Sequence, residues 1–265
     1  MAKKVFASVI IPVFNQLAFT KQCLESLISD SDRSPYEIIV IDNASTDGTR
    51  EYLEQKAKEL EHTDDNLIAI FNKKNLGVAP AWNQGLKAST GKIIAILNND
   101  IVLTYGWFRA LVWAMESHQL ALISPFAEGG ELNYDLKERA LEFTKKNLGA
   151  LWEGYDFSCV VMPRTTYEKI GLFDEGYLVG GYEDTDYCHR LKKARMKFGI
   201  CGAAFIHHYG SQTLGEFKKR GDKHAKHNLD YFISKWKENP SKGVGSWRSK
   251  IKRSWRKFKL RWDYM

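Results

Sequence analysis

The apolar residues of this chain come in short blocks that scarcely alternate with polar ones. Val5–Val13, Tyr36–Ile41, Leu67–Phe71 and Ile93–Leu97 are runs of this kind. A short apolar run without period-two alternation suits a strand buried on both faces of a parallel sheet. Between these runs the spacing changes to that of helices. Cys23, Leu24, Leu27 and Ile28 lie on one face of Thr20–Ser29. Arg50–Glu61 carries an outer charged face, and Ala81, Trp82, Leu86 and Ala88 precede a stop at Gly91. The first hundred residues therefore predict β-α-β-α-β-α-β. Right-handed crossovers place such strands in one parallel sheet with helices on both faces. Further on, the pattern predicts a helix over Trp107–His118, a strand over Leu120–Pro125 and a helix over Leu136–Lys146 within the charged stretch 127–150. A strand over Asp156–Met162, a short helix before Gly171, a helix opening at Glu183 and a last strand over Phe198–Phe205 follow. The expected fold class is α/β, with a central, mostly parallel sheet.

Four polar clusters sit where these strands and helices end, and open α/β sheets bind ligands beyond the carboxyl ends of their strands. Asn98, Asn99 and Asp100 follow the run 93–97; one carboxylate with two amides there could hold a divalent metal and, through it, a diphosphate, or simply form a polar turn. Asp42 and Asp47 follow the second strand, where a carboxylate can accept from a base N–H or a ribose hydroxyl; Asp42 or Ser45 is also expected to cap the helix near Thr49. Glu183, Asp184 and Asp186 open a helix after Gly180-Gly181. Carboxylates there complement the helix dipole, and Asp186 with Arg190 at i, i+4 reads as structural. Three carboxylates in four residues exceed what capping needs, so one could be a general base. His189 in the same helix reads as a partly exposed surface residue. His207 and His208 end the last strand, and alternation allows only one to face the crevice.

Composition narrows these possibilities. Residues 241–265 hold nine Lys or Arg and one Asp, a net +8, whereas the whole chain is +7, so the body is near neutral. The basic character belongs to a tail and not to a nucleic-acid-binding body. In that tail Trp247, Ile251, Trp255, Phe258 and Trp262 fall on one face of a helix, with Lys and Arg around it. A basic amphipathic helix of this kind lies in a membrane interface, with Gly243 and Gly245 as a hinge, or docks on the protein or a partner. Cys23, Cys159, Cys188 and Cys201 form no CxxC pair and read as reduced thiols of a cytosolic protein. The N-terminus reads as a first strand, and no apolar run reaches the ~18 residues a membrane span requires. After the first strand stands Pro-Val-Phe-Asn, with no GxGxxG or Walker sequence, so neither a dinucleotide fold nor a P-loop enzyme is indicated.

The ordered set Ser8–Asn15, Ile39–Thr49, Asn75–Ala79, Leu97–Asp100, Gly171–Glu175, Tyr182–Asp186 and His208–Ser211 resembles glycosyltransferase family 2, inverting enzymes of the GT-A fold. The resemblance spans roughly residues 6–212. It implies a nucleotide-binding edge at Pro12, Phe14, Asn15, Asp42 and Asp47, and a donor pocket lined by Asn75, Gly77 and Asn83, with Asn99 beside it. Asn98-Asn99-Asp100 stands at the family's DxD position with Asn for the first Asp. This leaves Asp100 as chief ligand of Mn2+ or Mg2+ and His208 as the second. Asp184 matches the catalytic base, with Glu183 as runner-up. The implied partners are a UDP- or dTDP-sugar donor and a glycan or lipid-linked acceptor at the cytoplasmic membrane face, with stretch 127–155 on the acceptor side. A sugar nucleotidyltransferase would want a Gly-rich basic loop after the first strand, and none is present. A non-catalytic, membrane- or partner-binding body would not need Asp100, Asp184 and His208 intact. The organisation expected is a transferase domain over 1–240, donor half to about 105 and acceptor half over 106–215, then the tail 241–265.

Overall fold

The computed structural model describes residues 6–30, 35–61, 63, 65–210 and 224–240. The expected membrane helix with its hinge, and Ser211 of the last motif, lie outside the described residues. Among those described, no helix is long and apolar enough to cross a membrane.

Four parallel strands come first: β1 (Ala7–Val13), β2 (Tyr36–Asp42), β3 (Asn66–Phe71) and β4 (Ile93–Leu97). They stand in spatial order 3-2-1-4, joined by α1 (Leu17–Ile28), α2 (Thr49–Leu60) and α3 (Val78–Ala88). The lack of alternation has a direct cause: both faces are covered. Val9, Ile11 and Val13 of β1 pack with Leu24, Leu27 and Leu53 in one core layer. Ile10 packs with Trp82 and Leu86 in the other. Each such side chain contributes about 1.5–3 kcal/mol by leaving water. Helix α3 lies so close to β1 that a Cβ on Gly85 would stand 2.3 Å from Ile10 Cγ2, which explains a glycine in mid-helix.

The second half comprises β5 (Ile101–Leu103), α4 (Trp107–Ser117), β6 (Leu122–Gly129), α5 (Leu136–Asn147), β7 (Leu151–Trp152) and β8 (Cys159–Pro163). It continues through α6 (Arg164–Ile170), α7 (Glu183–Lys193) and β9 (Phe198–His208). The sheet reads β3-β2-β1-β4-β8-β6-β9-β5, with β7 beside β9. Strand β8 runs antiparallel to β4 and β6, and β5 and β7 run antiparallel to β9. Only β6 and β9 are parallel here. The sheet is thus parallel in its first half and mixed in its second. Hydrophobic patterning could not separate the two, because β8 is also covered on both faces: Cys159 and Val161 enter one core layer, Val160 and Met162 the other. Strand β6 continues past Pro125, where the pattern predicted its end, through a register shift between Pro125 and Phe126. Helix α5, within the stretch expected on the acceptor side, covers β9; Phe143 stacks on Phe126 at 4.3 Å and meets Phe205 at 5.2 Å. A last helix, α8 (His224–Trp236), has no counterpart in the sequence pattern reading.

Candidate active site

The loops after β1 and β2 form one braced edge. Val13 pairs with Asp42, and the Asn43 amide donates to Val13 O at 2.8 Å. Pro12 and Phe14 are half-buried at this edge. Asn15 takes a left-handed backbone (φ 54°). Its amide donates to Ser45 Oγ at 2.7 Å, and its Oδ1 accepts from Thr46 N at 2.8 Å. Buried Asp42 accepts from Ser45 N at 3.0 Å. The first amide of α2 is met by neither Asp42 nor Ser45, contrary to expectation: Asp47 Oδ1 accepts from Thr49 N at 3.2 Å and from Thr49 Oγ1 at 2.6 Å. Asp47 Oδ2 accepts from Leu17 N, the first residue of α1, at 2.9 Å. Partial burial pushes the Asp47 carboxyl upward, but the bonds from Thr49 and Leu17 outweigh it and hold the pKa below its ordinary value. Asp47 therefore ties two helix N-termini together.

The turn after β3 is built similarly. Asn75 Oδ1 accepts from Gly77 N at 2.9 Å, and Asn43 Nδ2 donates to Gly77 O at 3.1 Å. Asn43, absent from the expected site residues, is the buried hub of this turn, and Asn72 Nδ2 donates to its Oδ1 at 2.9 Å. Gly77 has φ 91°, and a Cβ there would stand 3.1 Å from the Val179 amide nitrogen. Asn83, expected in the donor pocket, is bound to the protein's own backbone and side chains. It is buried, with Nδ2 donating to Phe173 O at 2.9 Å and Glu175 Oε1 at 2.7 Å, and Oδ1 accepting from Phe173 N at 2.9 Å. Its amide is engaged in holding the 173–175 turn against α3.

Past β4 the chain turns through Asn98, Asn99 and Asp100 into β5. The Asn98 amide donates to Ser158 O at 2.8 Å, and Asn99 Nδ2 donates to Thr20 Oγ1 at 3.0 Å. Antiparallel pairing sets Ile101 opposite His208, and the Tyr209 amide donates to Asp100 O at 3.0 Å. As a result, His208 Nε2 lies 3.2 Å from Asp100 Oδ1, with both side chains largely buried. His207 points the other way, fully buried, its Nδ1 2.7 Å from Tyr134 Oη; burial holds its pKa below the ordinary imidazole value. The described residues contain no cluster of three or more His, Cys, Asp or Glu that could hold a metal. One carboxylate and one imidazole nevertheless fit Mn2+ or Mg2+, which keep waters and bind substrate phosphates.

The three carboxylates of α7 part company. Asp186 is fully buried and accepts from Tyr177 Oη at 3.2 Å, Arg190 Nε at 3.0 Å and Trp236 Nε1 at 2.8 Å, with Lys235 Nζ at 2.6 Å. Its structural assignment holds. His189 packs on Trp236 with ring centroids 4.2 Å apart, and burial lowers its pKa. Glu183 is buried, one carboxylate oxygen has no hydrogen-bond partner among the described residues, and burial reinforced by the Asp184 charge pushes its pKa up to about 8. Asp184 is half-buried. Its Oδ1 accepts from Thr185 N at 2.6 Å and Thr185 Oγ1 at 3.2 Å. Burial raises its pKa against those two bonds, and the charge of Asp156 adds to the rise. The upward push thus comes from burial and Asp156, not from Asp186, whose charge is met by Arg190 and Lys235. Nothing in the pattern around Asp156 marked it. Tyr155 Oη donates to Thr185 Oγ1 at 3.2 Å, so the segment before β8 lies directly against the start of α7.

The sequence and the fold match known proteins. The family model for glycosyl transferase family 2 covers residues 8–175, and the chain belongs to that family. Glycosyltransferase AglE of Haloferax volcanii is 32% identical over 152 residues, which is 57% of this chain and 44% of AglE. Glycosyltransferase GlyG of Streptococcus pneumoniae serotype 4 is 22% identical over 203 residues, 69% of this chain and 64% of GlyG. The matches thus take in less than half of AglE and just under two thirds of GlyG. Among solved structures, the mannosyltransferase PcManGT of Pyrobaculum calidifontis, with GDP-Man and Mn2+, superposes with a TM-score of 0.66 at 16% identity. That match covers 88% of this chain and 65% of PcManGT. GalNAc-T7 with UDP, GalNAc and Mn2+ gives a TM-score of 0.59 at 16% identity over 79% of this chain and 44% of that one. At such identities these likenesses establish the fold, that of GT-A glycosyltransferases.

Proposed function

We propose that this protein transfers a sugar, with inversion, from a UDP- or dTDP-sugar to a hydroxyl of a glycan or lipid-linked acceptor. The observation that carries the reading is the 3.2 Å approach of His208 to Asp100 at the carboxyl edge of the sheet. Those two side chains would hold Mn2+ or Mg2+. A cation bound there would neutralise charge growing on the departing diphosphate. Asp184 is the general base. Thr185 fixes one of its oxygens, and its raised pKa makes it a stronger base than an ordinary carboxylate. Burial and the Asp184 charge favour the protonated form of Glu183, which lessens the charge opposing ionisation of Asp184. The acceptor oxygen gives its proton to Asp184 and bonds to the anomeric carbon as the bond to the diphosphate breaks on the opposite face.

The edge at Pro12, Phe14, Asn15 and Asp42, held in shape by Asp47, with the Asn75–Gly77 turn and Asn99, would receive the nucleotide. The basic aromatic tail would hold the protein at an anionic cytoplasmic membrane face, where lipid-linked acceptors are met. The deciding experiment offers purified protein and Mn2+ a panel of UDP-, dTDP- and GDP-sugars and reads released nucleoside diphosphate. Hydrolysis of one donor is expected. No hydrolysis together with no thermal stabilisation by any nucleotide would replace this reading with a non-catalytic body. Deleting residues 244–265 should release the protein from anionic vesicles; unchanged vesicle binding would remove the membrane role.

A further inference from the structure

The loop Tyr177–Tyr182 bridges the two sides of the crevice, and a helix outside the family-matched region backs it. On the donor side, Val78 N, at the start of α3, donates to Val179 O at 2.8 Å. On the other side the loop runs straight into Glu183 and Asp184. Its path is strained: Val179 and Tyr182 take left-handed backbones, φ 55° and 73°. A β-branched residue rarely adopts such a φ, and such residues persist only where their surroundings over-determine them.

Asn228 of α8 supplies the constraint. It is fully buried. Its Oδ1 accepts from Leu178 N at 2.8 Å, and its two amide hydrogens are shared among Leu178 O at 2.9 Å, Gly180 O at 3.2 Å and Gly181 O at 3.0 Å. One side chain thus addresses four backbone groups of the loop. The helix that carries it is fastened in turn, because Lys235 Nζ lies 2.6 Å from both Asp174 and Asp186. An amide is suited to this task as a carboxylate is not: three of the four groups are carbonyls and need donors.

We propose that Asn228 is a positioning residue for the transfer: it fixes the one backbone path that seats Val179 on the donor-side turn and presents Asp184 to the acceptor. This rests on Asp184 as the base, yet the clamp can be tested apart from it. Full-length wild type, Asn228→Ala and Asn228→Asp would be compared by amide hydrogen exchange. Lys226→Ala, at an exposed position of α8, serves as control. Both Asn228 variants should speed exchange in segments 176–183 and 76–80 while β2 is unchanged. With the donor that wild type hydrolyses fastest in the UDP-, dTDP- and GDP-sugar panel with Mn2+, turnover should fall about 100-fold. The midpoint of its pH profile should move downward as water reaches Glu183 and Asp184, a shift that a purely structural pin would not cause.

Unchanged exchange in 76–80, or a loosened loop with wild-type turnover and pH midpoint, would overturn the proposal. Should neither variant fold, or wild type hydrolyse no donor, exchange of the wild type in low urea decides. The Leu178 and Val78 amides should open together with α8; opening of α8 that leaves them protected would refute the clamp. Asp184→Asn, run alongside, separates the two ideas: wild-type turnover there would remove the base while the exchange result still judged Asn228.

Discussion

The two halves of the sheet build the crevice edge by different means. In β3-β2-β1-β4, strands joined by one helix lie close together, and the polar residues at their ends brace neighbouring loops. Asn15 holds Ser45 and Thr46, Asp47 holds the starts of α1 and α2, and Asn43 holds the Asn75–Gly77 turn. In the other half the groups meet between elements that do not follow one another as strand, helix and strand. Asp100 meets His208, Asp184 feels Asp156, and the approach to α7 is held from α8. Motif residues near sequence-adjacent turns are largely engaged in shaping the edge. The groups of the other half are those to which the proposed function gives the chemistry.

The sharpest break in that comparison is Asp184→Asn. It should lower transfer by roughly 10²–10⁴-fold, the usual worth of a general base, while nucleotide binding persists. Wild-type turnover would take Asp184 out of the role. Next comes Asp100→Asn. Nucleotide with Mn2+ at about 100 times its Kd should raise the wild-type Tm by roughly 5–10 °C, and the variant should lose the Mn2+-dependent part. An equal rise in the variant would show that the cation is held elsewhere.

On the donor side, Asp47→Ala should cost about 1–2 kcal/mol of stability in urea, as the loss of a helix cap does, with nucleotide affinity little changed. The reverse result would make Asp47 a donor contact first and a brace second. The smallest expected effect is a pH dependence. Asp184 must be ionised to act, so the rate should rise with pH through a value above the ordinary carboxylate range. Glu183 has a raised pKa, so its contribution to stability is complete below the unfolded value and is lost as pH climbs through about 8. Glu183→Gln should remove that loss, flattening urea midpoints between about pH 5 and pH 8; a wild type already flat there would refute the burial of an ionisable Glu183.

The residues of the proposed site could be picked out before the structure. Asp100 and His208 stand where apolar runs stop, and Asp184 opens a helix after Gly180-Gly181; a carboxylate or imidazole at an element's end is visible in one dimension. The choice of His208 over His207 could be framed from alternation, but only the β5–β9 register turned His208 onto Asp100 and His207 onto Tyr134. The engagement of Asn83 with the 173–175 turn was not legible, because a buried amide and an exposed one have the same neighbours in sequence. Asp156 and Asn228 carried no signal, since neither falls in a polar cluster of the sequence and their partners come from other elements.

By itself the sequence determined which segments are buried on both faces, where helices separate them, and which polar residues fall at their ends. Burial period and turn chemistry are local properties, encoded within a few residues. Tertiary structure alone decided strand direction in the second half, the three-residue pairing that joins Asp100 to His208, and the clamp from α8. Each of these depends on which distant segments come to share a hydrogen bond, and backbone hydrogen bonds are chemically alike whatever the side chains around them.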